Sequence, residues 1–110
     1  MNIEDIRNYC NSLKSVTEEI KWGADLCFCI GGKMFCVVQL EGKLRITFKV
    51  TPEEFDALSD TGAFIPAAYL ARAKWVTLTD ITKIKRKVLE AHICRSYEMI
   101  KAKLPRKYLK

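Results

Sequence analysis

From Leu26 to Glu54 the chain reads Leu-Cys-Phe-Cys-Ile, Gly-Gly, Lys-Met-Phe-Cys-Val-Val-Gln-Leu, Glu-Gly, Lys-Leu-Arg-Ile-Thr-Phe-Lys-Val, then Thr-Pro-Glu-Glu. Three runs of aromatic, β-branched and aliphatic residues are separated by two-residue turn signals, the pattern of an antiparallel meander. Successive side chains of a strand point to opposite faces, so turn length decides which residues share a face. With Gly31-Gly32 as a two-residue turn, Phe28 faces Phe35 and Cys27 faces Cys36. With Glu41-Gly42 as the next turn, Phe35 faces Phe48 and Val37 faces Ile46. The expected core face is Leu26, Phe28, Ile30, Phe35, Val37, Leu44, Ile46 and Phe48. The other face carries Cys27, Cys29, Met34, Cys36, Val38, Arg45, Thr47 and Lys49.

Helical signals flank the meander. Asn2 is a good N-cap, Glu4 and Asp5 suit the first turn, and Ile3, Ile6, Cys10 and Leu13 recur at helical spacing. This predicts an amphipathic helix over residues 3–14. A short strand is expected at residues 19–22. Thr51-Pro52-Glu53-Glu54 combines a capping threonine, a proline at the first helical position and a capping-box glutamate, so a short helix starts there and ends near Asp60. Residues 65–69 read as a connection and residues 74–79 as another strand. Asp80 or Thr82 is expected to cap a long helix with the buried stripe Leu89, Ile93, Tyr97, Ile100 and Leu104, ended by Pro105. The whole is an α+β fold: an antiparallel meander sheet with an N-terminal helix, a short middle helix and a long C-terminal helix packed on one face. Residues 1–110 are expected to form one domain.

The net charge of +6 is unevenly placed. Residues 1–82 hold 9 basic and 11 acidic side chains, whereas residues 83–110 hold 10 basic and 2 acidic. A basic end on a near-neutral body suits contact with a polyanion. No apolar run approaches the roughly 20 residues that span a bilayer, and no membrane partner is expected. The polar, acidic N-terminus does not resemble a signal peptide. With the odd count of five cysteines this points to the cytoplasm and to reduced thiols.

Lys33-Met34-Phe35 after a glycine turn, Phe48-Lys49 before Thr-Pro-Glu-Glu, and Pro66 with Tyr69 form one part of a wider pattern. Lys74-Trp75-Val76, Arg95-Ser96-Tyr97 and Lys103-Leu104-Pro105 complete it. In this order, along the whole chain, the residues resemble the MmcQ/YjbR family of small bacterial proteins. The resemblance implies a CyaY-like (frataxin-like) α+β fold. It also implies the family's usual description as DNA-binding, through a double-wing arrangement of the sheet. Many members carry histidines near the tryptophan. This chain has Tyr69 and Lys74 there, so histidine chemistry is not expected at that spot.

No residue pattern identifies an enzyme. His92, the lone histidine, lies beside the apolar stripe of the long helix and reads as a boundary packing residue. Ser96 reads as a small packing residue, since a nucleophile needs a positioned base. Cys27, Cys29 and Cys36 are expected on one sheet face, but no fourth ligand matches zinc spacing, so no metal or cofactor is expected. Gly31-Gly32 sits between two strands and makes no phosphate loop.

Two function classes follow. In the first, DNA is the partner: Lys33, Arg45, Lys49, Arg72 and Lys74 line the open sheet side and its wing tips, and Lys101, Lys103, Arg106 and Lys107 add backbone contacts. Such contacts position without reading sequence. In the second, Met34, Cys36 and Val38 near Tyr69 and Trp75 form an apolar groove for a small molecule or protein, with a monomer or weak dimer expected. Iron delivery of the frataxin kind would need an acidic helical ridge, and the acids here are scattered.

Overall fold

The computed structural model describes residues 1–105. Helix α1 (Ile3–Ser12) is followed by strands β1 (Val16–Lys21), β2 (Asp25–Ile30), β3 (Lys33–Gln39) and β4 (Arg45–Lys49). Then come α2 (Pro52–Ser59), β5 (Phe64–Pro66), β6 (Trp75–Leu78) and α3 (Arg86–Lys101), with 3₁₀ turns at Ala71–Ala73 and Ile81–Lys83. The strands form one antiparallel six-stranded sheet in the order β1-β2-β3-β4-β6-β5. This is the expected α+β architecture, with one more strand than the sequence suggested. Residues 65–69 were expected to connect; instead Phe64–Pro66 pairs with β6 as an edge strand. An edge is where proline's missing N–H is tolerated.

Local chemistry sets the helix starts. The Asn2 side chain accepts the Asp5 N–H, and the Asp5 carboxylate accepts the Asn2 N–H. Thr51 and Glu54 repeat the exchange at α2, with Pro52 in the first turn. The start of α3 differs from expectation. Asp80 accepts from the Thr82 N–H and hydroxyl and caps the 3₁₀ turn, while α3 begins at Arg86 without a side-chain cap.

The register differs from expectation by a bulge. Gly31 and Gly32 do form a two-residue turn, with Ile30 opposite Lys33 and both glycines at positive φ. Cys29 faces Met34, but Phe28 then faces Cys36, so Phe35 is an extra residue on β3. Beyond it every partner moves by one. Phe48 pairs with Cys36 and Ile46 with Val38, and β3 and β4 are joined by residues 40–44 instead of a two-residue turn. Phe35 and Cys36 both reach the core, Val38 joins them, and Val37 turns to the opposite face. Leu26, Phe28, Ile30, Ile46 and Phe48 are buried as expected, and Leu44 packs at the core margin.

Ile6 and Cys10 of α1 and Leu89, Ile93 and Tyr97 of α3 cover this face. Ile100 and Leu104 are partly buried against it. The expected trio of thiols is split. Cys36 lies in the core beside Cys10, while Cys27 and Cys29 lie on the other side. Cys27 faces Val37, so the close approach to Cys36 expected from a two-residue register is absent.

Ser96 has a larger role than filling space. Its hydroxyl donates to the Phe35 carbonyl at 2.6 Å and accepts from the Lys49 N–H at 3.0 Å. The β3–β4 ladder ends at Cys36 opposite Phe48. The hydroxyl thus bridges the gap the bulge opens and satisfies two backbone groups that would be costly to leave unpaired.

Candidate functional site

The helices cover one face of the sheet. The opposite face can be read as rows running across the strands. One end row is Lys21, Asp25, Gln39 and Arg45, each paired with the next. The middle row is Glu19, Cys27, Val37, Thr47, Thr77 and Ile65. The far end carries Thr17, Cys29 and Met34 on one side of the bulge and Lys49 beside Trp75 on the other. The Thr47 and Thr77 hydroxyls hydrogen-bond at 2.8 Å and satisfy each other on the floor.

A concavity of about 620 Å³ lies over this face. Val37, Thr47 and Thr77 contribute to its floor, the segment from Pro66 to Leu70 to one wall, and Trp22 with Asp25 to the other side. Gln39 and Arg45 bring polar groups to it. Two aromatic side chains stand at its rim: Tyr69 is fully exposed and Trp22 is 68% exposed. Both have left-handed backbone, with φ of 65° and 52°. That conformation costs a non-glycine residue on the order of 1–3 kcal/mol.

A second cleft of about 500 Å³ opens where the end of α3 passes the β2–β3 turn. Lys33, Met34, Trp75, Ile100 and Lys103 are among its lining residues. Lys49 is nearby: partial burial and the Lys103 charge lower its pKa, and its ammonium donates to the Ala73 carbonyl.

The candidate residues therefore divide. Arg45 and Lys49 share the open face, and Lys33 and Lys103 gather at the second cleft. Lys74 leaves this group, its Nζ lying 4.8 Å from the centre of the Phe55 ring of α2. Lys101 lies 5.6 Å from the Tyr97 ring centre on α3, and Arg72 is exposed in the first 3₁₀ turn. Arg106 and Lys107 fall outside the described residues. Of the groove residues, Met34 and Tyr69 line the large concavity, and Met34 and Trp75 line the second cleft. Cys36 and Val38, expected on this face, are in the core, and Val37 takes their place. Trp22, Asp25, Gln39 and Thr77 are additions; an aromatic residue directly before Gly23 in a tight turn was the available signal for Trp22.

The thiols on this face are not poised for chemistry. Burial and the hydrogen bond from Cys29 to Glu19 push the Cys29 thiol to about 11, and burial raises Cys27. Reactive cysteines need the opposite shift. Among the described residues no three His, Cys, Asp or Glu side chains gather to hold a metal ion.

His92 lies on the helix side. It is buried, stacks on Phe48 at 5.4 Å, and its Nδ1 lies 3.0 Å from the Arg95 guanidinium and 3.8 Å from Glu54. Burial and the Arg95 charge hold its pKa below the ordinary value. The unfolded chain then binds the proton more tightly, so stability should fall as pH drops below about 6.5 and level off below the folded pKa. Glu54 adds a further loss at lower pH. Burial would raise its carboxyl, but the Thr51 backbone hydrogen bond and Arg95 outweigh that and lower it. Thermal unfolding between pH 7.5 and 5 checks this: His92→Gln should flatten the slope, and an unchanged slope would remove His92 as its source.

The YjbR family model matches residues 11–99. The chain belongs to the YjbR family. A crystal structure of the Deinococcus radiodurans protein DR2400, assigned to domain family DUF419, superposes on it with a TM-score of 0.87. The alignment covers 97% of this chain and 84% of that one at 22% identity, a likeness of fold. No curated protein matches the chain. No described helix of this YjbR chain is long and apolar enough to cross a membrane.

Proposed function

We propose that this YjbR protein is a DNA-binding module that lays a single strand along the open face of its sheet, without catalysis. The observation that carries this reading is the pair of exposed aromatic side chains, Trp22 and Tyr69, at the rim of an uncovered face. Unpaired bases stack on such rings, at about 1–3 kcal/mol per base, whereas the bases of a duplex are already stacked on one another. Lys33, Lys49 and Lys103 at the far end suit the backbone phosphates, and Arg45 adds charge at the near end. Contacts of this kind give affinity that tolerates sequence.

Titration of labelled single-stranded and duplex DNA at two salt concentrations tests the reading. Three neutralised phosphates give a slope of about −2.1 for log affinity against log salt on a single strand. The double variant Lys33→Ala, Lys103→Ala should reduce it to about −0.7. Tighter binding to duplex, or no binding at low salt, would overturn the single-strand reading. A second reading is favoured by the size of the concavity, which falls in the range of small-molecule sites. It expects an organic ligand bound with little salt dependence and no effect of the two lysines.

A further inference from the structure

Resting on the single-strand reading, the geometry points to a guanine-selective base site at the polar end of the open face, built from Asp25, Gln39 and Arg45. The three residues are successive partners across β2, β3 and β4, so they stand in one line on one face. Two strand spacings, about 10 Å, separate the backbones of Asp25 and Arg45. Among the described residues neither makes an ion pair, whereas Lys21 in the same row is taken by Glu19 at 3.3 Å. The Gln39 amide nitrogen donates to the Glu41 carbonyl, which leaves its amide oxygen as an acceptor. All three line the concavity, whose rim carries Trp22 beside Asp25 and Tyr69 on the opposite wall.

This row offers acceptors at one end and a forked donor at the other. Guanine is the base that complements both. Its N1–H and N2 amine are two adjacent donors, which a carboxylate takes together, and its O6 and N7 are adjacent acceptors, which an arginine takes together. Adenine sets an acceptor beside its amine. Cytosine offers a carboxylate its single amine, and thymine flanks its one N–H with two acceptors. Only guanine uses both ends of the row with two hydrogen bonds each. The apolar floor at Val37 and the mutually satisfied threonine hydroxyls beside it accept a flat ring without stranding a polar group.

The site takes a base carried on a strand, because the lysines that suit phosphates lie at the other end of the same face. Fluorescence anisotropy on labelled thymidine nonamers with one central substitution tests this. A central dG should bind about tenfold tighter than dA or dT, and dC should fall between. Inosine, which lacks only the N2 amine, should lose several-fold. Asp25→Asn should abolish the preference, bringing the dG nonamer to the same affinity as the dA and dT nonamers. Equal binding of all nonamers would overturn the guanine site and leave the single-strand reading intact. Loss of all nonamer binding together with absent GMP binding would overturn both. Free GMP binding as tightly as the dG strand would overturn the strand-borne site in favour of a nucleotide pocket. Retained preference in Asp25→Asn would overturn the assigned role of the carboxylate.

Discussion

Replacing Phe48 with alanine is expected to remove about 3–5 kcal/mol of folding stability. Phe48 is fully buried on β4, stacks on His92 at 5.4 Å and meets Phe64 edge-on at 6.0 Å. Truncation removes the transfer energy of the ring and leaves a cavity between sheet and α3, and the β4 and β6 backbones that frame it are fixed by their ladder. Urea unfolding measures the effect as a lower midpoint at unchanged slope. The neighbouring valines make this a test of register as well. Val38 is wholly buried in the core, whereas Val37 stands on the open face in a small cluster with Met34, Cys27 and Cys29. Val38→Ala should therefore cost more than Val37→Ala. The reverse order would restore a bulge-free register, in which Val37 and not Val38 faces α3.

The parts of this fold that are legible in sequence are those governed by neighbours along the chain. Asn2 with Asp5, and Thr51 with Glu54, are three residues apart, so their exchange of hydrogen bonds can be read directly. The Gly31-Gly32 turn is equally local. The bulge at Phe35 is not legible, because Met34-Phe35-Cys36-Val37-Val38 is apolar at every position and either register buries a hydrophobic set. What selects the register lies far away. Ser96 bridges Phe35 and Lys49, and its partner Phe35 is 61 residues distant in sequence. A serine inside an apolar stripe looks like filler until those strands are in place. The same dependence governs the site. Arg45, Lys49, Met34 and Tyr69 are visible from type and position. Gln39 acquires meaning only because the shifted register turns it to the open face between Asp25 and Arg45, where a two-residue register sets Val38. Where a lysine's long stem carries its charge is equally hidden in the sequence: Lys74 and Lys101 lie over the rings of Phe55 and Tyr97.

Replacing Trp22 and Tyr69 together with glycine is expected to separate stability from binding. Each side chain is largely exposed, so little packing is lost from the fold. Each backbone sits at positive φ, where glycine relieves a strain on the order of 1–3 kcal/mol. Part of that gain is offset by the greater freedom of glycine in the unfolded chain. The net change in unfolding midpoint should thus be small or favourable. Binding should move the other way. With two stacking platforms gone, at about 1–3 kcal/mol each, affinity for a single strand should fall about thirtyfold or more. The salt slope should stay near its original value, because the phosphate-binding lysines are untouched. The opposite pattern, a less stable protein with unaltered affinity, would assign the two aromatics to packing and take the rim out of the binding face. Aromatic rings held at strained positions, where they add little to the core, are what a stacking surface for an unpaired base requires.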